Sequence, residues 1–247
     1  MTRIDGRTPA QLRPLAFERA VSRYAEGSCL VRWGNTHVLC TASVDEKVPP
    51  FMRGSGSGWV TAEYSMLPRA TKERSPRDVS KGKLNGRASE IQRLIGRSLR
   101  AAVDMAQLGE RTVTIDCDVL QADGGTRTAS ISAGFIALFD ALRWLRDEGR
   151  IPFVPLLNQI GAVSVGKVDS VLMLDLCYEE DSAAEVDSNI IMTGRGEFVE
   201  LQGTGEGGTF SRAELAGIIE LGWGGIREIH ELQYECLKPV GEETALF

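Results

Sequence analysis

Between residues 112 and 119, apolar Val113, Ile115, Cys117 and Val119 alternate with Thr112, Thr114, Asp116 and Asp118, the period-two signature of a strand with one buried face. Beyond the turn Asp123-Gly124-Gly125 the spacing lengthens. Ile131, Phe135, Leu138, Phe139, Leu142 and Leu145 recur every three or four residues, the stripe of a helix facing a core. Upstream, the pattern predicts strands over Leu15 to Tyr24, Gly27 to Trp33 and Thr36 to Val44, the last two joined by a hairpin turn at Gly34-Asn35. Lys47 to Gly58 predicts a loop, Trp59 to Met66 a strand, and Pro68 to Gly86, which lacks periodicity, a long exposed loop. From Ala88 to Gln107 a helix places Ile91, Leu94, Ile95, Leu99, Ala102 and Val103 on one side. Later, Ala162 to Val168 and Val171 to Tyr178 predict a hairpin turning at Asp169-Ser170, and Ile190 to Thr193 and Phe198 to Gln202 two more strands. Gly203 to Gly208 reads as a flexible link, though Thr204 and Glu206 within it are placed to face a ligand if it is more than that. Ser211 to Tyr234 is the last long helix, with Ser211 and Glu214 spaced as a capping box. No Pro/Ser-rich linker divides the chain, so the simplest architecture is one α+β domain over residues 1–240, strands grouped and helices segregated, with a frayed tail at 241–247.

Composition narrows the setting. With 247 residues, 43% of them apolar, the chain can fill a substantial core, and no apolar run approaches the ~20 residues that span a bilayer. The first residues lack the apolar core of a signal peptide, so a cytoplasmic protein with no membrane partner is expected. Five widely spaced cysteines read as buried reduced thiols; a Cys29–Cys40 disulfide requires their strands to pair and an oxidising setting. There is no Cys-x-x-Cys, and His37 and His230 lie far apart, which argues against zinc.

The net charge of −6 is unevenly spread: from Arg69 to Arg100, ten Lys/Arg face three Asp/Glu, a local +7 that leaves −13 for the remainder. A segregated basic segment is a footprint for phosphate-rich ligands, or else a solvated loop. Arg93, Arg97 and Arg100 fall on one helical face beside the loop that supplies Arg69, Arg74 and Arg77.

Two stretches carry candidate chemistry. At Gly124-Gly125-Thr126-Arg127-Thr128-Ala129-Ser130, paired glycines lead into a helix whose first N–H groups lack internal partners and favour an anion. A plain Ser/Thr cap has the same outline; Arg127 and three hydroxyls in one turn favour phosphate. The second stretch, Glu179 to Asp187, brings Asp181 and Asp187 to a strand end, where hard carboxylate oxygens can hold Mg²⁺. It also reads as a solvated acidic turn, a reading that Ser182, Ala183 and Ala184 weaken if they face inward.

Together, the runs Asp116 to Ser130, Gly86 to Arg93 and Tyr178 to Asp187 resemble the ribonuclease PH family of phosphate-dependent exoribonucleases, which trim the 3′ ends of tRNA precursors. The likeness extends from Arg3-Ile4-Asp5-Gly6-Arg7 to the last helix. It implies a fold like the second domain of ribosomal protein S5, with a mixed sheet, and a homohexameric ring built as a trimer of dimers. It implies that Arg87, Gly125, Thr126 and Arg127 hold inorganic phosphate and that Asp181 and Asp187 serve Mg²⁺ binding and acid catalysis. Arg69, Arg74, Arg77, Arg93 and Arg97 would contact RNA or support the ring. An inert ring subunit would lack the arginine or the aspartates, and a small-molecule kinase would have no use for the arginine-rich segment.

Overall fold

The computed structural model describes residues 3–77 and 85–238. The tail at 241–247, and residues 78–84 of the predicted basic loop, lie outside these. Among the described residues, nine strands form two sheets. The first orders β1 (Leu15–Arg19), β2 (Gly27–Trp33), β3 (Thr36–Asp45), β5 (Thr112–Gln121) and β4 (Trp59–Met66), mixed because β4 runs parallel to β5 while the other pairs are antiparallel. The second, wholly antiparallel, orders β7 (Val171–Leu174), β6 (Ile160–Val168), β8 (Val186–Thr193) and β9 (Phe198–Gly205). The hairpin at Gly34-Asn35 closes with Trp33 opposite Thr36, and the one at Asp169-Ser170 has both residues in the left-handed region.

The central helix α3 (Thr126–Asp147) is where periodicity understated burial: it is buried on every side from Thr128 to Phe139, not along one stripe. A helix without a polar face belongs inside a core, and α3 touches strands of both sheets. Its length and composition alone would suffice to cross a membrane, but its apolar side chains are spent within the protein. Small residues permit the close fit. A Cβ on Gly27 of β2 would stand 2.0 Å from the Ala137 carbonyl oxygen of α3. Ser132 and the side chain of Gln233 supply hydrogen bonds that join α3 to β6 and to α5 (Arg212–Leu237), so these buried polar groups are paired across the layers. One hydrophobic cluster contains side chains of both sheets and of α1 (Gly86–Arg100), α3 and α5.

Several boundaries moved for local reasons. β1 stops at Arg19 because Ala20 takes a φ of 55°, which no strand continues. The predicted helix from Ala88 to Gln107 divides: α1 starts at Gly86, where the Asn85 side chain accepts from the Arg87 N–H at 2.9 Å, and ends at Arg100. Asp104 then caps a separate turn, α2 (Met105–Leu108). β7 ends at Leu174 because Asp175 is left-handed, with φ 54°. The acidic stretch is not a loop: Tyr178–Ser182 is a short helix, α4, and Asp187 lies within β8. Of the small residues expected to face inward, only Ala184 does; Ser182 and Ala183 are exposed. The Ser211–Glu214 capping box forms. Cys29 and Cys40 are cross-strand partners as thiols, and the close sulfur contact is between Cys40 and Cys117, at 3.6 Å.

Candidate active site

Gly124 and Gly125 have φ of 73° and 65°, conformations that L side chains rarely hold, and Gly125 is the N-cap of α3. A Cβ on Gly124 would lie 2.5 Å from the Leu176 carbonyl oxygen. The glycine turn is therefore packed directly against the chain leading into α4. Asp123 strengthens that junction: its carboxylate accepts from the Tyr178 N–H at 3.1 Å and from Asn35 Nδ2 at 3.2 Å. Thr36 Oγ1 donates to the Gly124 carbonyl at 2.6 Å and accepts from the Asp123 N–H at 3.0 Å. Gly125 thus stands at the head of α3, followed by Thr126 and Arg127, with the free N–H groups of the first turn beside them. Thr126 Oγ1 is 2.8 Å from the hydroxyl of Tyr64, which projects from β4 and is buried. Burial pushes the Tyr64 phenol up, and it stays a neutral hydrogen-bonding group.

The two aspartates meet the turn here. Burial raises the Asp181 carboxyl above its ordinary value, opposed by the positive charges of Arg127, Arg87 and Arg13. Burial raises Asp187 as well, and the neighbouring Asp181 adds to the rise, against Arg127 and Arg87. Both carboxylates therefore sit within electrostatic reach of both arginines and of each other. Glu206, just past the end of β9, bears on both with its negative charge. The glycine-rich link that contains it is partly strand, with Thr204 opposite Asp187. Two half-buried carboxylates that resist ionising together are a hard-oxygen pair that a dication would relieve, so the residues fit Mg²⁺ completed by water. Among the described residues no cluster of three or more potential ligands forms. A cavity of about 970 Å³ touches the same turn through Asp123, Cys177 and Tyr178, but none of Arg87, Arg127, Asp181 or Asp187 lines it.

The remaining arginines separate into two groups. Arg69, Arg74 and Arg77 are exposed and, among the described residues, form no ion pair. Those on α1 are engaged by the protein. Arg93 pairs with Glu90 at 2.5 Å, Arg97 Nη2 donates to Glu200 of β9 at 2.7 Å, and Arg100 lies 4.4 Å from the Trp59 ring centroid and donates to the Val60 carbonyl at 2.9 Å. The face expected to be one stripe of free guanidinium groups is thus partly committed to holding β4 and β9.

Sequence patterns passed over a further layer. Arg3, Arg7 and Arg13 are buried and converge on Asp175 and Glu180, also buried. Arg3 grips Glu180 through Nε at 2.7 Å and Nη2 at 2.5 Å and donates to the Leu174 carbonyl at 2.7 Å. Arg7 donates to the Asp175 carbonyl at 3.1 Å and lies 3.6 Å from Glu180. Although burial opposes it, Arg3 holds the Glu180 carboxyl below its usual range. Three arginines within the first 13 residues were the available signal; nothing in hydrophobic periodicity says that they turn inward.

Domain 1 of the 3′ exoribonuclease family matches residues 11–143, and its domain 2 matches residues 158–225. Over 238 residues, 95% of the chain, it is 56% identical to the ribonuclease PH of Synechococcus sp. strain JA-2-3B'a(2-13), covering 97% of that protein. The ribonuclease PH of strain JA-3-3Ab is 55% identical over the same share of the chain, with 98% of its length covered. Among solved structures, the Archaeoglobus fulgidus exosome with RNA bound to the active site superposes with a TM-score of 0.78 at 24% identity, over 93% of this chain and 91% of that one, a likeness of fold. With both family domains matched in order and more than half of the residues shared with these relatives, the chain belongs to the 3′ exoribonuclease family, in its ribonuclease PH branch.

Proposed function

We propose that this protein shortens the 3′ ends of tRNA precursors and other RNAs by phosphorolysis, with the glycine turn and the aspartate pair as the two halves of its active site. An oxygen of inorganic phosphate attacks the phosphorus of the terminal 3′,5′-phosphodiester; the bond to the 3′-oxygen breaks, and a nucleoside 5′-diphosphate leaves. The RNA, one nucleotide shorter, keeps a 3′-hydroxyl once that oxygen is protonated. The reading is carried by the packing of the Gly124 turn against the chain into α4, which brings the charges of Arg87 and Arg127 to bear on Asp181 and Asp187. Such chemistry asks mainly for positioning and charge neutralisation. Arg127, Thr126 and the N–H groups following Gly125 hold the attacking phosphate, and Arg87 shares its charge. Asp187, the carboxyl raised by both burial and a neighbouring aspartate, is the better donor to the departing oxygen. Asp181, joined by Asp187 when that carboxyl is ionised, would hold Mg²⁺, which when bound offsets negative charge on the reacting phosphates.

Arg69, Arg74 and Arg77 are exposed for contacts with RNA phosphates, while Arg93 and Arg97 contribute less directly through their ion pairs. A homohexameric ring and a cytoplasmic setting complete the reading, the latter in keeping with five free thiols. The assay is an RNA with a short 3′ extension, incubated with and without phosphate, with the released mononucleotide identified. Diphosphates that appear only with phosphate, and a loss of roughly 10²–10³-fold in kcat/KM for Arg127→Ala, are expected. Monophosphates released without phosphate would refute the reading, as would full activity in that variant. A stable monomer in solution would contradict the ring.

A further inference from the structure

Arg13 belongs neither to the phosphate turn nor to the elements that bear the aspartates, yet its guanidinium bonds to the chain of both halves. Nε and Nη2 donate to the two carboxylate oxygens of Asp175 at 3.0 and 2.6 Å, and Nη1 donates to the carbonyl of Asp123, the residue before Gly124. Nη2 also lies 3.2 Å from where a Cβ on Gly125 would stand, so the fork sits against the turn itself. On the other side, Asp175 is followed by Leu176, Cys177 and then α4, which carries Asp181.

Asp175 is held from several directions. Its Oδ2 accepts from the Arg13 backbone N–H at 2.7 Å and from Trp33 Nε1 at 2.9 Å, and its carbonyl accepts from Arg3 at 2.9 Å and Arg7 at 3.1 Å. Its left-handed backbone, φ 54°, is a conformation that a non-glycine residue keeps only where its surroundings hold it. A buried ion pair of this kind is poor value as a stabiliser, since well-packed apolar groups commonly do as well. What a planar, fully bonded fork provides is fixed geometry.

We propose that Arg13, locked by Asp175, is a positioning residue for the reaction, setting the spacing between the phosphate turn at Gly124-Gly125 and the Asp181–Asp187 pair. This rests on the reading of those two halves given above. The attacking phosphate is held by one half and the departing oxygen is served by the other, so their separation decides whether the reacting atoms meet. A misplacement of about 1 Å can cost on the order of 10²-fold in rate.

Arg13→Lys keeps the positive charge but cannot bond both Asp175 oxygens and the Asp123 carbonyl from one plane. Assayed well below its melting midpoint, with the folded fraction measured, it is expected to raise KM for phosphate roughly tenfold and to lower kcat roughly tenfold. Asp175→Asn, close in shape but unable to form the charged fork, is expected to shift both constants in the same directions. Wild-type constants in both variants would overturn the proposal, as would a loss confined to Vmax that follows the unfolded fraction. Arg127→Ala in the same series separates this from the underlying reading. If it keeps the wild-type KM for phosphate, the site assignment fails; if it loses activity while Arg13→Lys and Asp175→Asn both behave as wild type, only the positioning role fails.

Discussion

Two side chains of the candidate site invite tests of single groups. The Tyr64 hydroxyl fixes Thr126 Oγ1 at 2.8 Å, and it is the described side-chain partner of that oxygen. Tyr64→Phe removes one neutral hydrogen bond, a change of about 0.5–1.5 kcal/mol. A two- to tenfold rise in KM for phosphate with kcat little changed is therefore expected from steady-state assays at varied phosphate; an unchanged KM would mean that Thr126 does not depend on the tyrosine. Asp187 makes a prediction in the opposite sense, about stability. Its folded-state carboxyl binds a proton more tightly than the ordinary value of 3.8, so the folded protein loses stability as pH rises through that value towards the folded one, and the deficit is complete above it. Asp187→Asn should therefore melt higher than the wild type at neutral pH in metal-free buffer, with the gain vanishing below about pH 4. The same variant should lose about 10²–10⁴-fold in activity, and added Mg²⁺ should raise the melting midpoint of the wild type but not its own. Melting curves at pH 4 and pH 7, with and without Mg²⁺, decide it; a gain of equal size at both pH values would exclude ionisation as its source.

At the scale of elements, the site depends on where two helices begin. α3 begins at a left-handed glycine pair and α4 begins against that pair, so Gly124 is the point where the two halves touch. Gly124→Ala forces a Cβ to 2.5 Å from the Leu176 carbonyl oxygen in a conformation already strained for alanine. Activity should fall by more than tenfold while far-ultraviolet circular dichroism stays native, because the displaced element is a helix of only five residues. A variant of normal activity would show that α4 shifts without consequence. The end of β7 belongs to the same logic. The apolar pattern from Val171 to Tyr178 predicts one strand, but the left-handed Asp175, gripped by three arginines, turns the chain into α4 instead.

For the whole molecule, the two family domains share one hydrophobic cluster, and α3 packs against strands of both sheets. Gly27→Ala should expose that dependence. Its Cβ would stand 2.0 Å from the Ala137 carbonyl oxygen and 2.9 Å from the Ala141 backbone nitrogen, which forces α3 away from β2. Overpacking of this kind costs about 1–3 kcal/mol, and if the chain is one folding unit, denaturant unfolding followed by fluorescence and by circular dichroism should shift together to lower midpoints. Separate transitions would mean that the domains unfold independently.

What the sequence determined by itself was local. Alternation in β5, the change of spacing into α3, the Gly124-Gly125 turn and the Ser211–Glu214 capping box are set by contacts within a few residues, and each was legible. The glycine-arginine turn and the paired carboxylates could be singled out as candidates, but each has an ordinary structural alternative in sequence, a helix cap for the one and a solvated acidic turn for the other. Tertiary structure decided everything that joins segments distant in the chain. Periodicity could not say that α3 is covered on all sides, since that burial depends on strands of both sheets packing against it. Nor could it say that Arg97 would be spent on Glu200, or that Arg13 would reach across to Asp175 and Asp123. A charged side chain in a sequence carries no mark of whether its partner is solvent, RNA or a carboxylate 162 residues away. That choice is made only when burial removes water and leaves the charge to find its counterpart.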